Sequence, residues 1–276
     1  MGELELRVAV RHGKSIATHQ FHQGALRVLR PHYLDDSGQV CYVVVNPGGA
    51  YLGADLYVLD VEVGDGASLV LTTQSATKIY RTPGSFAEQR MTVRLGEGAR
   101  LELVPDQLIA YREASYRQNT HITVRPSSSL VMAEVVTPGW SPDGASFKYE
   151  ELRLRNEIHV ETDNGGQLLA LDNLLIQPPA ADVTGMGFME GFSHLGSLVV
   201  VDARVDQSLA EELHGLTASH DAYTGISLTR TVAGTTGLVL RSLSDSTAKL
   251  NSLLGACTAL LRERWHGQAP LNLRKY

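Results

Sequence analysis

The chain has little of what most often announces a chemistry. Of its 276 residues two are cysteine, two tryptophan and five phenylalanine, and aromatic side chains make up 6%. Cys41 and Cys257 lie far apart in sequence. A disulfide between them stays open as a reading, but each reads more naturally as a small buried apolar residue. Positive charge is not in surplus: 24 Lys and Arg stand against 30 Asp and Glu, a formal net charge of -6. The basic patch that phosphate binding needs is missing, which argues against a nucleic-acid surface. No apolar run approaches the roughly 20 residues that span a bilayer. The first residues, with Glu3, Glu5 and Arg7 among them, do not read as a signal peptide. The expectation is a cytoplasmic protein without a membrane partner.

Enzymatic signatures are equally thin. Gly48, Gly49 and Gly53 cluster, but no Gly-Lys-Ser or Gly-Lys-Thr follows and no helix opens there, so a turn explains them better than a phosphate loop. Gly191-Phe192-Ser193-His194-Leu195-Gly196 superficially resembles a nucleophile elbow, yet its second glycine is misplaced and the next run reads as a strand. His19 and His22 have helical metal-pair spacing in a segment that alternates like a strand, which favours a surface pair. The ten histidines are otherwise dispersed.

What the chain does contain is a repeat. Val61 and Val63, a turn at Gly64-Asp65-Gly66-Ala67, then Leu69 and Leu71 form one copy; Val93 and Leu95, Gly96-Glu97-Gly98-Ala99, Leu101 and Leu103 form the next. Ile122, Val124, Leu130 and Met132 surround Arg125-Pro126-Ser127-Ser128 in a third. Ile158, Val160, a longer turn at Asn164-Gly165-Gly166, then Leu168 and Ala170 form a fourth. Side chains in a strand alternate faces, so each copy puts an apolar row on one side, and the glycines supply the bend. The repeat predicts strands folded over a shared core, and 43% apolar content can fill one large all-β domain or two small ones.

Outside the repeat, Leu4, Leu6, Val8 and Val10 suggest an edge strand followed by a polar stretch, and Gln177-Pro178-Pro179-Ala180 with Gly185 and Gly187 marks a loop or boundary. Val205, Leu209, Leu213 and Leu216 predict a helix within 203–220. Ser244-Asp245 caps a second that carries Leu250, Leu253, Leu254, Cys257, Leu261 and Trp265. Between them lie two more strands, around Ile226 and Leu238.

Three segments resist explanation by packing. From Leu71 a strand runs into Thr72-Thr73-Gln74-Ser75-Ala76-Thr77-Lys78-Ile79-Tyr80, where hydroxyls and an amide stand where apolar residues are expected. Glu134 shares strand parity with Leu130 and Met132. Asp172 shares it with Leu168 and Ala170. An inward carboxylate costs several kcal/mol unless paired, hydrated or coordinating a cation. The plain reading is a salt bridge to an arginine such as Arg117 or Arg153; the sharper one is a water-filled passage lined by hard anionic ligands.

Several strings together resemble the urease accessory protein family UreD, also called UreH. They are Gly24-Ala25-Leu26-Arg27-Val28-Leu29-Arg30-Pro31; Asn46-Pro47-Gly48-Gly49 with Gly53-Ala54-Asp55; Thr72 through Arg81; Leu101 through Gln107; Tyr116-Arg117-Gln118; Glu134-Val135; Phe147; and Leu195-Gly196-Ser197-Leu198. The resemblance covers about residues 20–265. It departs at Ala25, where the family commonly has proline, at Ala54, where a second glycine is usual, and at Ala133, where tryptophan is frequent.

The resemblance implies a single UreD-like domain over 1–276, all-β and β-helical or solenoid-like, with a repeat core at about 20–177 and a C-terminal part at about 195–266 flanked by two helices. It implies a non-catalytic metallochaperone scaffold that binds the F-type urease accessory protein. Through that protein it meets the G-type nickel GTPase, and the assembly docks on apo-urease as a hetero-oligomer such as a dimer of heterotrimers. No tightly bound cofactor is expected, only Ni(II) in transit through an internal channel. Glu134 and Asp172 match acidic channel residues, and Thr72, Thr73, Gln74, Lys78 and Tyr80 belong to the family's polar signature. Oxygen ligands release Ni(II) more readily than thiolates or imidazoles, which suits a conduit. Tyr80, Tyr111, Tyr116 and Trp265 are candidate contact residues. The competing class is a β-solenoid hydrolase or lyase using Glu134 and Asp172 as acid and base; a third is an adaptor with a dry interior and both acids paired.

Overall fold

The computed structural model describes residues 1–162 and 165–273. In chain order, β1 (Gly2–Arg11) and β2 (Lys14–Gly24) form a hairpin, and the short β3 (Arg27–Val28) and β4 (His32–Tyr33) lead to β5 (Val40–Val45). Next come β6 (Leu56–Val63), β7 (Ser68–Thr73) and β8 (Thr77–Ile79), then β9 (Ala87–Leu95), β10 (Arg100–Leu103) and β11 (Leu108–Ala110). A third round has β12 (Ser115–Val124) and β13 (Ser129–Val136), followed by β14 (Glu151–Thr162) and β15 (Gly165–Ile176). The chain ends with β16 (His194–Val201), α1 (Gln207–Thr217), β17 (Tyr223–Arg230), β18 (Thr236–Ser244) and α2 (Thr247–His266).

These strands form a solenoid of two facing sheets. In the first sheet β1, β6, β9, β12 and β14 run parallel; in the second β5, β7, β10 and β13 do. Each of the first three sequence repeats crosses from one sheet to the other, and equivalent residues stack: Val61 beside Val93, Leu69 beside Leu101, Leu101 beside Leu130. The corners stack as well. Gly96 N–H donates to Val63 O at 2.8 Å, Asp65 Oδ1 accepts from Glu97 N–H at 2.8 Å, and a Cβ on Gly96 would lie 2.3 Å from that oxygen. Only glycine permits this approach. On a third, narrow side β8 pairs with β11, extended by parallel bridges from Tyr51 to Ile79 and from Tyr111 to Trp140.

The fourth repeat breaks the rule. β14 and β15 pair antiparallel within one sheet, so its longer turn makes a hairpin instead of a crossing. Asn164, read from the sequence as part of that turn, lies outside the described residues. A register shift between Ile158 and His159 also splits the apolar parity expected of β15: Leu168 is 50% exposed, while Asp172 is largely buried. β1 departs from expectation too, since it lies between β2 and β6 and is no edge strand.

The repeat-derived apolar rows, with Leu4, Val61, Val93, Ile122 and Ile158 from one sheet and Leu69, Leu101 and Leu130 from the other, fill the space between the sheets. A second core lies on the outer face of the second sheet, where α1 and α2 pack Leu209, Leu213, Leu250, Leu253, Cys257 and Leu261 on Val131, Val135, Leu198, Val200, Leu238 and Leu240. β13 and β16 are therefore covered on both faces, which is why they read as nearly continuous apolar runs. Asp206 caps α1, and Ser246, the residue just after the expected Ser244-Asp245, caps α2. Cys41 and Cys257 are both buried and are not joined in a disulfide.

Candidate functional site

Polar residues interrupt the inter-sheet core at one level. β9, β12 and β14 would place only apolar residues inward if the alternation were strict, yet Gln89 shares parity with Met91 and Val93, Gln118 with Ile122 and Val124, and Asn156 with Ile158 and Val160. From the opposite sheet β13 contributes Glu134 in the same manner. Gln118 Nε2 donates to Glu134 Oε1 at 2.6 Å, and Asn156 Nδ2 donates to Glu134 Oε2 at 2.8 Å, so two amides from one sheet hold a carboxylate from the other. Tyr116 O–H donates to Gln118 Oε1 at 3.1 Å, and Tyr51 O–H to Gln89 Oε1 at 2.8 Å.

Tyr51, Gln89, Gln118 and Glu134 line a cavity of about 90 Å³ between the sheets, together with Thr72, Thr73, Thr77, Asp106 and Thr120. That is room for several waters at most. Its donors are hydroxyls, amides and carboxylates; among the described residues no His or Cys lines it. Glu134 is partly accessible and lines this space. Burial pushes its carboxyl above the usual range, against the opposing pull of the Gln118 and Asn156 hydrogen bonds and of the Arg241 charge. Charge-assisted hydrogen bonds of this kind contribute about 1.5–3 kcal/mol each, enough to offset much of the desolvation but not all of it.

Asp172 has a different environment. It pairs with Arg241 of β18, not with Arg117 or Arg153 as the plain reading had it; Arg117 instead bonds Glu151 at 2.8 Å. Arg241 lies two strands from Glu134, through the register Glu134–Ser197–Arg241, and Asp172 lies beside Asn156. Arg241 also lines a second cavity of about 390 Å³, largely apolar, bounded by Leu174, Ile176, Val183, Phe188 and Tyr223. The Glu134, Asn156, Asp172 and Arg241 cluster thus stands between two spaces.

The polar signature divides. Thr72 Oγ1 donates to Val104 O at 2.6 Å and Asp106 N–H donates to Thr73 Oγ1 at 2.8 Å, holding both threonines at the main cavity. Gln74 and Lys78 line an adjoining cavity of about 40 Å³ that shares Thr73 and Thr77 with it. Tyr80 is not in the interior: it is exposed and stacks edge-on against Tyr111, which contacts Trp140, with ring centroids 4.8 Å apart in each case. Tyr116 is fully buried and so cannot serve as a surface contact. Trp265 is partly buried with the Arg204 guanidinium over its ring.

Sequence reading missed Gln89, Gln118, Asn156 and Arg241, although the first three broke the inward parity as plainly as Glu134. It also missed a group on the outer face of the first sheet. There His121 of β12 and Glu157 and His159 of β14 offer ligand atoms within 4.8 Å of one another. Aligning the third repeat on the fourth, Ile122 on Ile158, would have found it.

A two-sheet solenoid with helices on one outer face and a carboxylate-bearing cavity between the sheets defines a β-solenoid class of protein. Comparison with known sequences makes the class specific. The UreD urease accessory protein family matches residues 1–275. Over 276 residues the chain is 84% identical to the urease accessory protein UreD of Arthrobacter sp. (strain FB24), covering 100% of this chain and 94% of that protein. It is 75% identical to that of Paenarthrobacter aurescens (strain TC1), covering 100% and 95%, and 33% identical to that of Bacillus cereus (strain ATCC 10987 / NRS 248), covering 100% and 98%. The chain belongs to the UreD urease accessory protein family.

Proposed function

We propose that this chain is a non-catalytic scaffold for nickel insertion into urease, working in the cytoplasm. On this reading it joins apo-urease to the F-type accessory protein and, through that protein, to the G-type nickel GTPase, as a hetero-oligomer. Ni(II) passes through the interior by way of Glu134 and is never a resident cofactor. The observation that carries the reading is the inter-sheet cavity lined by Glu134 and by oxygen-rich side chains, with Thr72 and Thr73 of the polar signature among them. Hard oxygen donors without thiolate or imidazole bind Ni(II) loosely enough to release it. Asp172, held by Arg241, sets the charge at the far end of the cluster.

A catalytic use of the Glu134 and Asp172 pair has less support. One acid faces an interior space and the other is tied to a guanidinium, which leaves no opposed acid and base about a substrate bond. Co-expression with the urease operon, followed by pull-down and nickel analysis of the urease, tests the proposal. Glu134→Leu should lower nickel loading while the protein stays folded and retains its F-type partner. Wild-type loading with that variant would remove the interior from the mechanism, and failure to co-purify with any urease component would remove the scaffold role.

A further inference from the structure

We propose that His121, Glu157 and His159 form a metal-binding site on the outer face of the first sheet, suited to a borderline divalent ion of the Ni(II) or Zn(II) class. It does not rest on the interior passage. The parallel register sets His121 directly beside Glu157 and places His159 two residues further along the same strand, so all three project outward into one patch. Glu157 Oε2 lies 3.7 Å from His121 Nδ1 and 3.4 Å from His159 Nε2, and the two imidazole centroids are 4.8 Å apart. Ligands bound at about 2.0–2.1 Å in tetrahedral or octahedral geometry sit roughly 2.8–3.4 Å from their neighbours, so small side-chain adjustments bring the triad onto one ion.

Two features fit this use. The other Glu157 oxygen is bonded by Arg155, which orients the carboxylate and leaves Oε2 toward the histidines. Such an outer partner is the usual device for fixing a ligating carboxylate. The register shift in the β14–β15 pair falls at His159, and irregularities of this sort re-aim side chains at sites. Two imidazoles and a carboxylate select zinc, nickel or copper over magnesium or calcium. With His121 49% and Glu157 23% exposed, solvent completes the coordination and the ion exchanges freely.

The test titrates the full-length chain with Ni(II) alone and Zn(II) alone by calorimetry, and records X-ray absorption of the nickel-loaded protein. Wild type should bind an ion with imidazole scattering. The double variant His121→Gln with His159→Gln should lose that scattering and bind at least tenfold more weakly, while His32→Gln, at an exposed histidine elsewhere, keeps both. Histidine-ring NMR of the wild type gives an arm that needs no variant: Zn(II) should shift the His121 and His159 resonances before the other histidines. Equal affinity and stoichiometry in wild type and double variant, scattering without imidazole, or shifts at other histidines only would overturn the site and leave a surface ion-pair network.

Discussion

Arg241 and Asp172 form an ion pair that joins the two sheets at the end of the solenoid, where β15 of one meets β18 of the other. The carboxylate is the more buried partner, at 15% exposure against 39% for the guanidinium. Arg241→Leu therefore strands a mostly buried charge and should destabilise by about 2 kcal/mol, between the values for surface and fully buried pairs. Leu at both positions should recover most of that loss. Denaturant midpoints of the two single variants and the double variant give the coupling; additive losses would show that the pair contributes nothing as a pair.

Glu134 makes a prediction about pH. A carboxyl raised in the fold holds its proton more tightly there than in the unfolded chain, so it supports the fold below the unfolded value, 4.5, and this support is lost as pH rises through the folded value. Glu134→Gln has no such ionisation. The stability of the variant relative to wild type should therefore increase from about pH 4.5 upward and then level off. The amide leaves one of the two hydrogen bonds from Gln118 and Asn156 unmade, so the difference carries a constant offset of about 1 kcal/mol against the variant. Urea titrations of both proteins across that range measure the slope; a difference independent of pH would mean that Glu134 is not shifted upward.

The solenoid was legible because its signal is periodic. Val61, Val93 and Ile122 repeat the same parity before similar turns, and nothing but stacked strands satisfies that pattern. The fourth copy was not, because a crossing and a hairpin carry the same alternation and differ only in where the second strand finds its partner, a tertiary choice. The inward acids were legible as violations of parity. Their partners were only half so: Gln118 and Asn156 break the same rule, but Arg241 is 69 residues from Asp172 and nothing local ties the two. The outer His121 group was hidden because exposed histidines violate no pattern; only the register makes them neighbours.

Ala54 offers a stabilising substitution. It sits at φ +64° as the third residue of a turn closed by Asp55 N–H donating to Leu52 O at 3.1 Å, and it also donates to Phe86 O at 3.1 Å. A positive φ at that turn position favours glycine, and an L side chain there costs about 1–2 kcal/mol. Ala54→Gly removes the strain and is opposed by about 0.4–1 kcal/mol of added freedom in the unfolded chain. The net gain should be a few tenths to about 1 kcal/mol, read as a rise in Tm, with no change in partner binding. A fall in Tm would show that the turn holds Ala54 without strain.

Arg262 of α2 reaches into the second sheet and meets Glu102 of β10, and the two are among the most buried charged residues described, at 2% and 1% exposure. Gln39 bridges them, donating from Nε2 to Glu102 Oε1 and accepting from Arg262 Nη1, each at 3.0 Å. Arg262 Nε also donates to Ala269 O at 2.9 Å, so this one side chain ties the helix, the sheet and the segment after the helix together. Arg262→Leu leaves Glu102 with Arg100 as its remaining cation and should cost about 3 kcal/mol, the lower end of the range for breaking a buried pair. Glu102→Leu should cost a similar amount, since it leaves Arg262 with only the partly exposed Asp35 and takes the carboxylate from Arg100. With both residues replaced by leucine the two most buried charges of the group go together, leaving only the more exposed Arg100 and Asp35, and the double variant should be more stable than either single one. Because α2 packs on the outer face of the sheet and not on the inter-sheet cavity, amide exchange should rise across α2 and β10 in the single variants. It should remain at wild-type levels in β9 and β12; loosening there as well would show that the helix and the solenoid unfold as one unit.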